Sequence, residues 1–288
     1  MKHTLHHVSK TIFRSFSQVM LQQNTLTGLL FCLGIAINSV TMLLGALLAV
    51  LVSFITTTLC KFNLRLIQQG VYGFNAALVG MAVWFFLPVS LLSLILIIIA
   101  ASFATILSHI LLIYSAKFPI FTAPFIMTTW CILLFMKVSG IAPVTEQFST
   151  HDIADFHTVF RGLGQVMFQS YWLSGLIFFV ALLVSSYKLA IWALIGSGTG
   201  LLIARTLGYS EGTLLIGGYG FNAALVAIAL AQRYQGKHYL IFIGILLSVL
   251  LSQALTLLAI PALTAPFVLV SWIVVAVKSK ITGVYKLP

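Results

Sequence analysis

Acidic side chains are almost absent from this chain. Only four of its 288 residues are Asp or Glu, against 15 Lys or Arg, and charged residues make up 7% of the sequence. Hydrophobic residues account for 61%, which is far from the composition of soluble globular proteins. The long apolar runs show no strand-period alternation. The sequence therefore predicts an integral membrane protein built from helices.

Other features that are scarce exclude several classes of function. Cys32, Cys60 and Cys131 are isolated, without Cys-x-x-Cys spacing. No two histidines stand with a carboxylate at metal-ligand spacing, and no serine has a general base in its sequence context. We therefore expect no metal, no cofactor and no enzymatic activity. His109, the one histidine placed at membrane depth, is interpreted as a structural hydrogen-bonding residue, and His3, His6 and His7 as a solvated tail.

The charge pattern excludes two further classes. The net charge is +11, but the basic residues lie between apolar runs and form no tract interleaved with aromatics, so we expect no nucleic-acid partner. The predicted spans contain no Asp or Glu, which leaves no carboxylate for a sodium site or a proton relay. Transport coupled to ions is not expected.

What the chain does have is a duplication. Three motifs occur twice. They are Gln-Val-Met-Leu/Phe-Gln at 18–22 and 165–169, Tyr-Gly-Phe-Asn-Ala-Ala-Leu at 72–78 and 219–225, and Phe/Leu-Thr-Ala-Pro-Phe at 121–125 and 263–267. The first two pairs are each displaced by 147 positions. A membrane protein assembled from two copies of one unit is a common plan among transporters.

Each copy is predicted to contain a short glutamine-bearing helix followed by five crossings. The helices at 12–22 and 159–169 are too short to span and are interpreted as half-membrane pore helices. The crossings are placed near 27–43, 44–59, 68–86, 89–113 and 120–138, and near 172–187, 190–206, 214–231, 239–257 and 262–277. Residues 1–138 form the first repeat, 139–158 an outward linker, and 159–288 the second repeat.

The basic residues orient this layout. With both termini in the cytoplasm, 12 of the 15 fall on the cytoplasmic side, as the positive-inside rule requires. Because five is an odd number of crossings, the second repeat must be inverted. The predicted fold class is an all-α integral membrane protein with two inverted-topology repeats, each of five transmembrane helices plus one half-membrane pore helix.

The heptapeptide and the Thr-Ala-Pro motif each allow two interpretations. Phe74 and Leu78 share one helical face, as do Phe221 and Leu225, and both copies could present these faces to one solute. The alternative is a tight helix-packing motif. Thr122 and Thr264 each precede Ala-Pro, where a helix interruption would expose hydroxyls to a pore, although a simple proline kink would give the same pattern.

Gln18 and Gln165 complete the candidate site. A side-chain amide is costly in lipid unless it is partnered, so both are expected to face the interior. They could equally be solvated at a membrane interface. The combined set carries no fixed charge and therefore suits a small, neutral, polar molecule. A planar solute with several N–H donors would fit this description.

The three paired motifs, in this order and spacing, resemble the urea transporter family over nearly the whole chain. The resemblance implies passive, channel-like conduction of urea across the cell inner membrane, through a pore formed by the two inverted repeats, in a homotrimer surrounded by membrane lipid. It implies substrate-binding roles for Gln18, Leu21, Phe74, Leu78, Thr122, Gln165, Phe168, Phe221, Leu225 and Thr264.

One residue departs from the family pattern, and two questions about function stay open. Leu21 stands where some family members place an aromatic, so one wall of the urea slot would be less aromatic than the wall at Phe168. The alternative solutes for the same fold are a short-chain amide, water or ammonia. In a bacterium, the expected purpose would be supply of urea to a cytoplasmic urease.

Overall fold

A computed structural model describes residues 2–115, 118–144 and 155–282 of the chain. Within these residues the structure is helical and contains no strand, which confirms the all-helical prediction. The part of the predicted linker between 145 and 154 lies outside the described residues, and so do the side chains of His3, His6 and His7.

The helices of the first copy recur in the second with the same order. The first seven are α1 (Lys2–Gln18), α2 (Thr25–Asn38), α3 (Val40–Leu59), α4 (Leu64–Gln68), α5 (Gly73–Phe86), α6 (Leu91–Tyr114) and α7 (Ala123–Val138). The next seven are α8 (Asp155–Gln165), α9 (Trp172–Ser185), α10 (Tyr187–Thr206), α11 (Glu211–Leu215), α12 (Gly220–Arg233), α13 (His238–Leu257) and α14 (Ala265–Thr282). The duplication of sequence therefore extends to the order of the helices.

Helix length separates two groups of apolar helices. Among the described residues, α3, α6, α10 and α13 are the four helices long and apolar enough to cross a membrane. Helices α2, α5, α7 and α9 are also apolar but have only 14 to 16 residues. A 14-residue helix is about 21 Å long, less than the roughly 30 Å hydrocarbon core. The membrane assignment is thus confirmed, whereas ten crossings and their inversion remain predictions.

The chain divides into two compact units. Unit 1 comprises Met1–Leu111 and Pro124–Gln147, and unit 2 comprises Leu112–Ala123 and Phe148–Pro288. The segment Leu112–Ala123 belongs to the first sequence copy but packs within unit 2. The repeat boundaries predicted at 138 and 159 describe the sequence duplication and remain predictions.

Small residues set the helix packing inside each unit. In unit 1, a Cβ placed on Gly80 of α5 would meet Ala49 Cβ of α3 at 2.7 Å. In unit 2, a Cβ on Gly196 of α10 would meet the Ala223 carbonyl oxygen of α12 at 2.7 Å. Backbones that approach this closely exclude larger side chains. Of the residues in these two contacts, Ala223 belongs to a heptapeptide, so the packing interpretation is supported at that residue of the second copy.

Several of the predicted crossings differ from the structure at their boundaries for local reasons. The first two crossings are separated at Ser39, whose Oγ accepts a hydrogen bond from the Met42 N–H at 3.2 Å as the N-cap of α3. The predicted third crossing is interrupted before α5 by Gly70 at φ +78°, and Gly217 at φ +81° interrupts its counterpart before α12. Glycine adopts this left-handed backbone at little cost, so the chain can turn there.

Candidate functional site

The two repeated threonines lie side by side. Thr122 Oγ1 and Thr264 Oγ1 are 2.7 Å apart in a mutual hydrogen bond, and both residues are almost fully buried, at 2% and 3% exposure. Each belongs to unit 2. Two residues that lie 142 positions apart in the sequence, one from each copy, thus form one neutral polar contact.

The Ala-Pro sequence after each threonine explains the local backbone. Helix α7 begins at Ala123 and α14 at Ala265, so each proline lies in the first turn, where it lacks an N–H that would have had no helical partner. The predicted interruption is therefore a helix start. Each threonine directly precedes its helix, at the position where side chains commonly cap the first turn.

Aromatic contacts in unit 2 hold the segment that leads to Thr122. The Trp272 indole Nε1 of α14 donates to the Pro119 carbonyl at 2.8 Å, and its ring lies 6.3 Å from that of Phe118. The Phe121 and Phe267 rings are tilted against each other at 4.8 Å. These contacts fix the backbone on both sides of the threonine pair.

The heptapeptides place most of their apolar side chains in the helical core. They begin α5 and α12, with Phe74 exposed by 6%, Leu78 and Leu225 fully buried, and Phe221 partly exposed. The phenylalanine and the leucine lie on the same helix in both copies, as predicted. Any contact of these residues with a solute is a prediction that the packing does not test.

Sequence reasoning missed the asparagine of the heptapeptide. Asn75 and Asn222 are buried, and each side-chain oxygen accepts a backbone N–H at 3.1 Å, from Phe125 and Phe267 respectively. The amide of Asn222 also donates to the Leu263 carbonyl at 3.0 Å. The available signal was a single amide retained twice within an apolar heptapeptide, since a buried amide needs partners.

The glutamines lie at the last residue of their helices. Helix α1 ends at Gln18 and α8 at Gln165, four residues before the predicted ends, and both side chains are half-buried. The Gln18 amide donates to the Gln69 carbonyl at 3.2 Å. Gln18 is therefore partnered within unit 1, and a role of either glutamine toward a solute remains a prediction.

Leu21 and Phe168 lie beyond the helices on which they were predicted. Both have φ +60°, a left-handed backbone that a bulky residue seldom adopts. Backbone bonds from Gln22 N to Ser17 O and from Gln169 N to Gly164 O close the same helix-ending turn in both copies. The left-handed position of such a turn is usually a glycine, but here it is Leu21 in one copy and Phe168 in the other.

The tyrosine of the heptapeptide has different partners in the two copies. Tyr72 Oη and His109 Nδ1 are 3.1 Å apart, and the imidazole stacks on Phe62 with 3.7 Å between ring centroids. Tyr219 Oη donates instead to Gln253 Oε1 at 2.5 Å. His109 thus makes a structural hydrogen bond, as predicted, at a position where the second copy uses an amide.

Paired arginines hold the glutamine-bearing helices. Arg14 Nη1 donates to the Gln68 carbonyl at 3.0 Å, and Arg161 Nη1 to the Leu215 carbonyl at 3.1 Å. Each carbonyl belongs to the last residue of a short helix, α4 or α11, where a cation is favourable. Both arginines therefore have a structural partner of the same kind.

Acids are confined to exposed positions in the described part of the chain. Asp155 and Glu211 are each 64% exposed at the side chain, and Asp155 pairs with Arg205 at 2.7 Å. No cluster of three His, Cys, Asp or Glu with metal-binding geometry occurs among the described residues. The polar groups among the described site residues are hydroxyls and amides, and none of these residues is a carboxylate.

Fold and site together define a helical membrane protein in which duplicated motifs contribute paired, uncharged polar groups. The pattern of the family described as Urea transporter matches residues 9–279. The chain belongs to the urea transporter family.

Three mammalian relatives are similar along most of their length. Urea transporter 1 of Ovis aries and that of Capra hircus are each 26% identical over 312 residues, which cover 96% of this chain and 79% of the relative. Urea transporter 1 of Mus musculus is 26% identical over 311 residues, with the same shares covered.

Proposed function

We propose that this protein conducts urea passively across a membrane. The observation that carries the proposal is the buried pair of threonine hydroxyls, one from each sequence copy, in a chain of the urea transporter family. We propose a conductor and not a pump because both acidic residues that the structure describes are exposed. Neither is placed in the protein interior, where it could bind a coupling ion.

The chemistry of the threonine pair suits a solute that donates hydrogen bonds. A hydroxyl oxygen has two lone pairs and one hydrogen, so the mutual Thr122–Thr264 bond uses one hydrogen and one lone pair. The remaining lone pairs can accept N–H groups of a planar amide. A hydrated ion gains little there, since two hydroxyls do not replace its water shell.

Backbone strain supports a role for Leu21 and Phe168. Holding a residue other than glycine in the left-handed region costs about 1–2 kcal/mol, and such strain clusters at functional positions. The two residues are equivalent in the two copies. We infer that their side chains, together with Phe74, Leu78, Phe221 and Leu225, line an apolar slot along which Gln18, Gln165 and the threonines supply polar groups.

The finer architecture follows from the sequence. Two inverted repeats, each of five crossings and one pore helix, would place both termini in the cytoplasm, and 12 of 15 basic residues would then lie on that side. The 14-residue apolar helices would be completed by adjoining turns and by the short helices α4 and α11. We infer a homotrimer in the cell inner membrane, with lipid on its outer faces.

Stopped-flow light scattering on proteoliposomes tests the function. With an outward urea gradient and no ion gradient, vesicles containing the folded protein should release urea faster than protein-free vesicles. Parallel runs with acetamide, water and ammonia separate urea conduction from the other neutral solutes. Urea release no faster than from empty vesicles would refute the proposal, and a faster flux of another solute would reassign it.

Replacing Phe74 by alanine should weaken discrimination against bulky amides. The ring is buried in α5 at the start of the heptapeptide, and its loss would widen the proposed slot. The measurement is the ratio of urea to dimethylurea flux, which we expect to fall severalfold. Phe103→Ala, which removes a 48% exposed ring from α6, is the control and should leave the ratio unchanged. An unaltered ratio in folded Phe74→Ala would restrict the ring to helix packing.

A link to cytoplasmic urease is the physiological part of the proposal. A passive conductor accumulates nothing, so it can sustain inward flow only where urea is consumed. A deletion strain of a bacterial host should grow poorly on low urea as nitrogen source and normally on ammonium. Normal growth on low urea would contradict the link without touching conduction itself.

A further inference from the structure

The hydroxyl of Thr264 does not cap its own helix. A threonine directly before a helix usually accepts a hydrogen bond from the N–H of the second or third helical residue. In α14 the second residue is Pro266, which has no N–H. The third is Phe267, whose N–H is bonded to Asn222 Oδ1 at 3.1 Å. Neither of the usual partners is available to the threonine.

The remaining N–H groups of this turn are also accounted for. Ala265 N donates to the Ala262 carbonyl at 3.0 Å, and Val268 N donates to the Thr264 carbonyl at 3.2 Å. The Thr264 hydroxyl instead bonds Thr122 Oγ1 at 2.7 Å. The first turn of α14 is therefore satisfied without the hydroxyl, which is left for a contact outside its helix.

Asn222 makes this arrangement possible by binding on both sides of Thr264. Its oxygen takes the Phe267 N–H, and its amide donates to the Leu263 carbonyl at 3.0 Å. Leu263 has φ +45°, so its carbonyl is held in a backbone conformation that needs support. Asn222 is 1% exposed, and its side chain is the only amide in the heptapeptide, with one acceptor oxygen and one donor nitrogen for these two bonds.

The first copy repeats the arrangement. Ala123 N donates to the Ile120 carbonyl at 3.1 Å, Pro124 has no N–H, and Phe125 N is bonded to Asn75 Oδ1 at 3.1 Å. Phe121, before Thr122, has φ +43°. The usual capping partners of Thr122 are thus removed in the same way, by one proline and one asparagine.

We propose that Asn222 and Asn75 are positioning residues that cap α14 and α7 in place of Thr264 and Thr122, and so reserve both threonine hydroxyls for the solute. The inference rests on the proposed conduction of urea. Without the asparagine, the threonine hydroxyl is at the position that usually accepts the third N–H of its own helix. Rotation of the threonine side chain would then turn the hydroxyl away from its partner.

A double-mutant cycle in urea flux tests the coupling. Asn222→Leu keeps the approximate volume and removes the cap. It should slow urea flux about threefold, which is less than the roughly fivefold effect of losing one hydrogen bond to the solute. In a Thr264→Val background the same change should have no further effect, because no hydroxyl remains to be misdirected. If Asn222→Leu and Thr264→Val slow flux by factors that multiply, the positioning role is wrong.

Two further variants separate positioning from loss of stability. Asn222→Asp keeps an oxygen for the Phe267 N–H and should restore most of the flux, even where its thermal midpoint stays low. Asn63→Leu removes a comparable cap, since Asn63 Oδ1 accepts from Arg65 N at 2.9 Å at the start of α4, and should leave flux unchanged. A flux loss in Asn63→Leu equal to that of Asn222→Leu would overturn the proposal. Where Asn222 variants do not fold, the equivalent Asn75 and Thr122 variants are measured.

An experimental structure of Asn222→Leu gives an answer that does not depend on conduction. The proposal expects Thr264 Oγ1 within hydrogen-bonding distance of Phe267 N and separated from Thr122 Oγ1. A threonine pair that stays intact would refute it. Urea flux of the wild-type protein equal to empty vesicles would refute the proposed function alone, because the side-chain rotation is read from the structure.

Discussion

Replacing Gly175 by alanine is expected to reduce the yield of folded protein strongly. Gly175 lies in α9, and a Cβ there would overlap the Phe160 carbonyl oxygen of α8 and lie 3.1 Å from the Gly164 nitrogen. The obstacles are backbone atoms, so no side chain can rotate away and the two helices would have to separate. Overpacking of this kind costs about 3 kcal/mol or more, a large part of a total stability of roughly 5–15 kcal/mol.

The measurement is the yield of monodisperse protein in detergent and its thermal midpoint. Gly198→Ala is the matched control, because a Cβ at that position of α10 would meet only Val159 Cγ2 at 3.8 Å. Alanine is the better helix former, so the control should be neutral or slightly stabilising. Equal yields and midpoints for Gly175→Ala and Gly198→Ala would mean that α8 and α9 do not approach as closely as described.

Gly28 has the same surroundings in the first copy. A Cβ on this residue of α2 would overlap the Phe13 carbonyl oxygen of α1. Both glycines lie where the glutamine-bearing helix packs against the next helix, and they are 147 positions apart like the motifs. The duplication therefore extends beyond the three motifs to a close backbone contact that sequence comparison alone did not select.

Apolar composition and the lack of strand-period alternation predicted an all-helical membrane protein, because lipid leaves the backbone few alternatives. The ends of the short helices were harder to predict. Leu21 and Phe168 were expected on helices and instead occupy left-handed turns. Leucine and phenylalanine do not favour that region, so their identity gives no sign of the turn, which is accompanied by a hydrogen bond from the Gln22 side-chain Nε2 to the Met20 carbonyl.

The sequence analysis selected the threonines as candidates and did not select the asparagines, for a physical reason. A threonine before Ala-Pro suggests a broken helix from local chemistry alone. The partners of Asn75 and Asn222 lie 50 and 45 residues away, at the starts of α7 and α14. A hydrogen bond over that separation depends on tertiary packing, which spacing within a motif cannot encode.

Replacing Thr264 by valine should slow urea flux about fivefold, which corresponds to losing one hydrogen bond of about 1 kcal/mol to the solute. Valine keeps the shape and removes the hydroxyl, and Thr122→Val should act similarly. Thr264→Ser keeps the hydroxyl and should conduct close to the wild-type rate. Thr105→Val is the matched control, because this buried threonine bonds only the Ala101 carbonyl of its own helix at 2.7 Å in the described structure.

The double variant decides whether the two threonines act as one group. Each single valine already breaks the bond between Thr122 and Thr264. The second substitution therefore removes only the remaining hydroxyl. The flux loss in Thr122→Val with Thr264→Val should therefore be about tenfold and smaller than the product of the single losses. A fully multiplicative loss would mean that each hydroxyl serves the solute independently. Wild-type flux in both folded single variants would remove the pair from the conduction path.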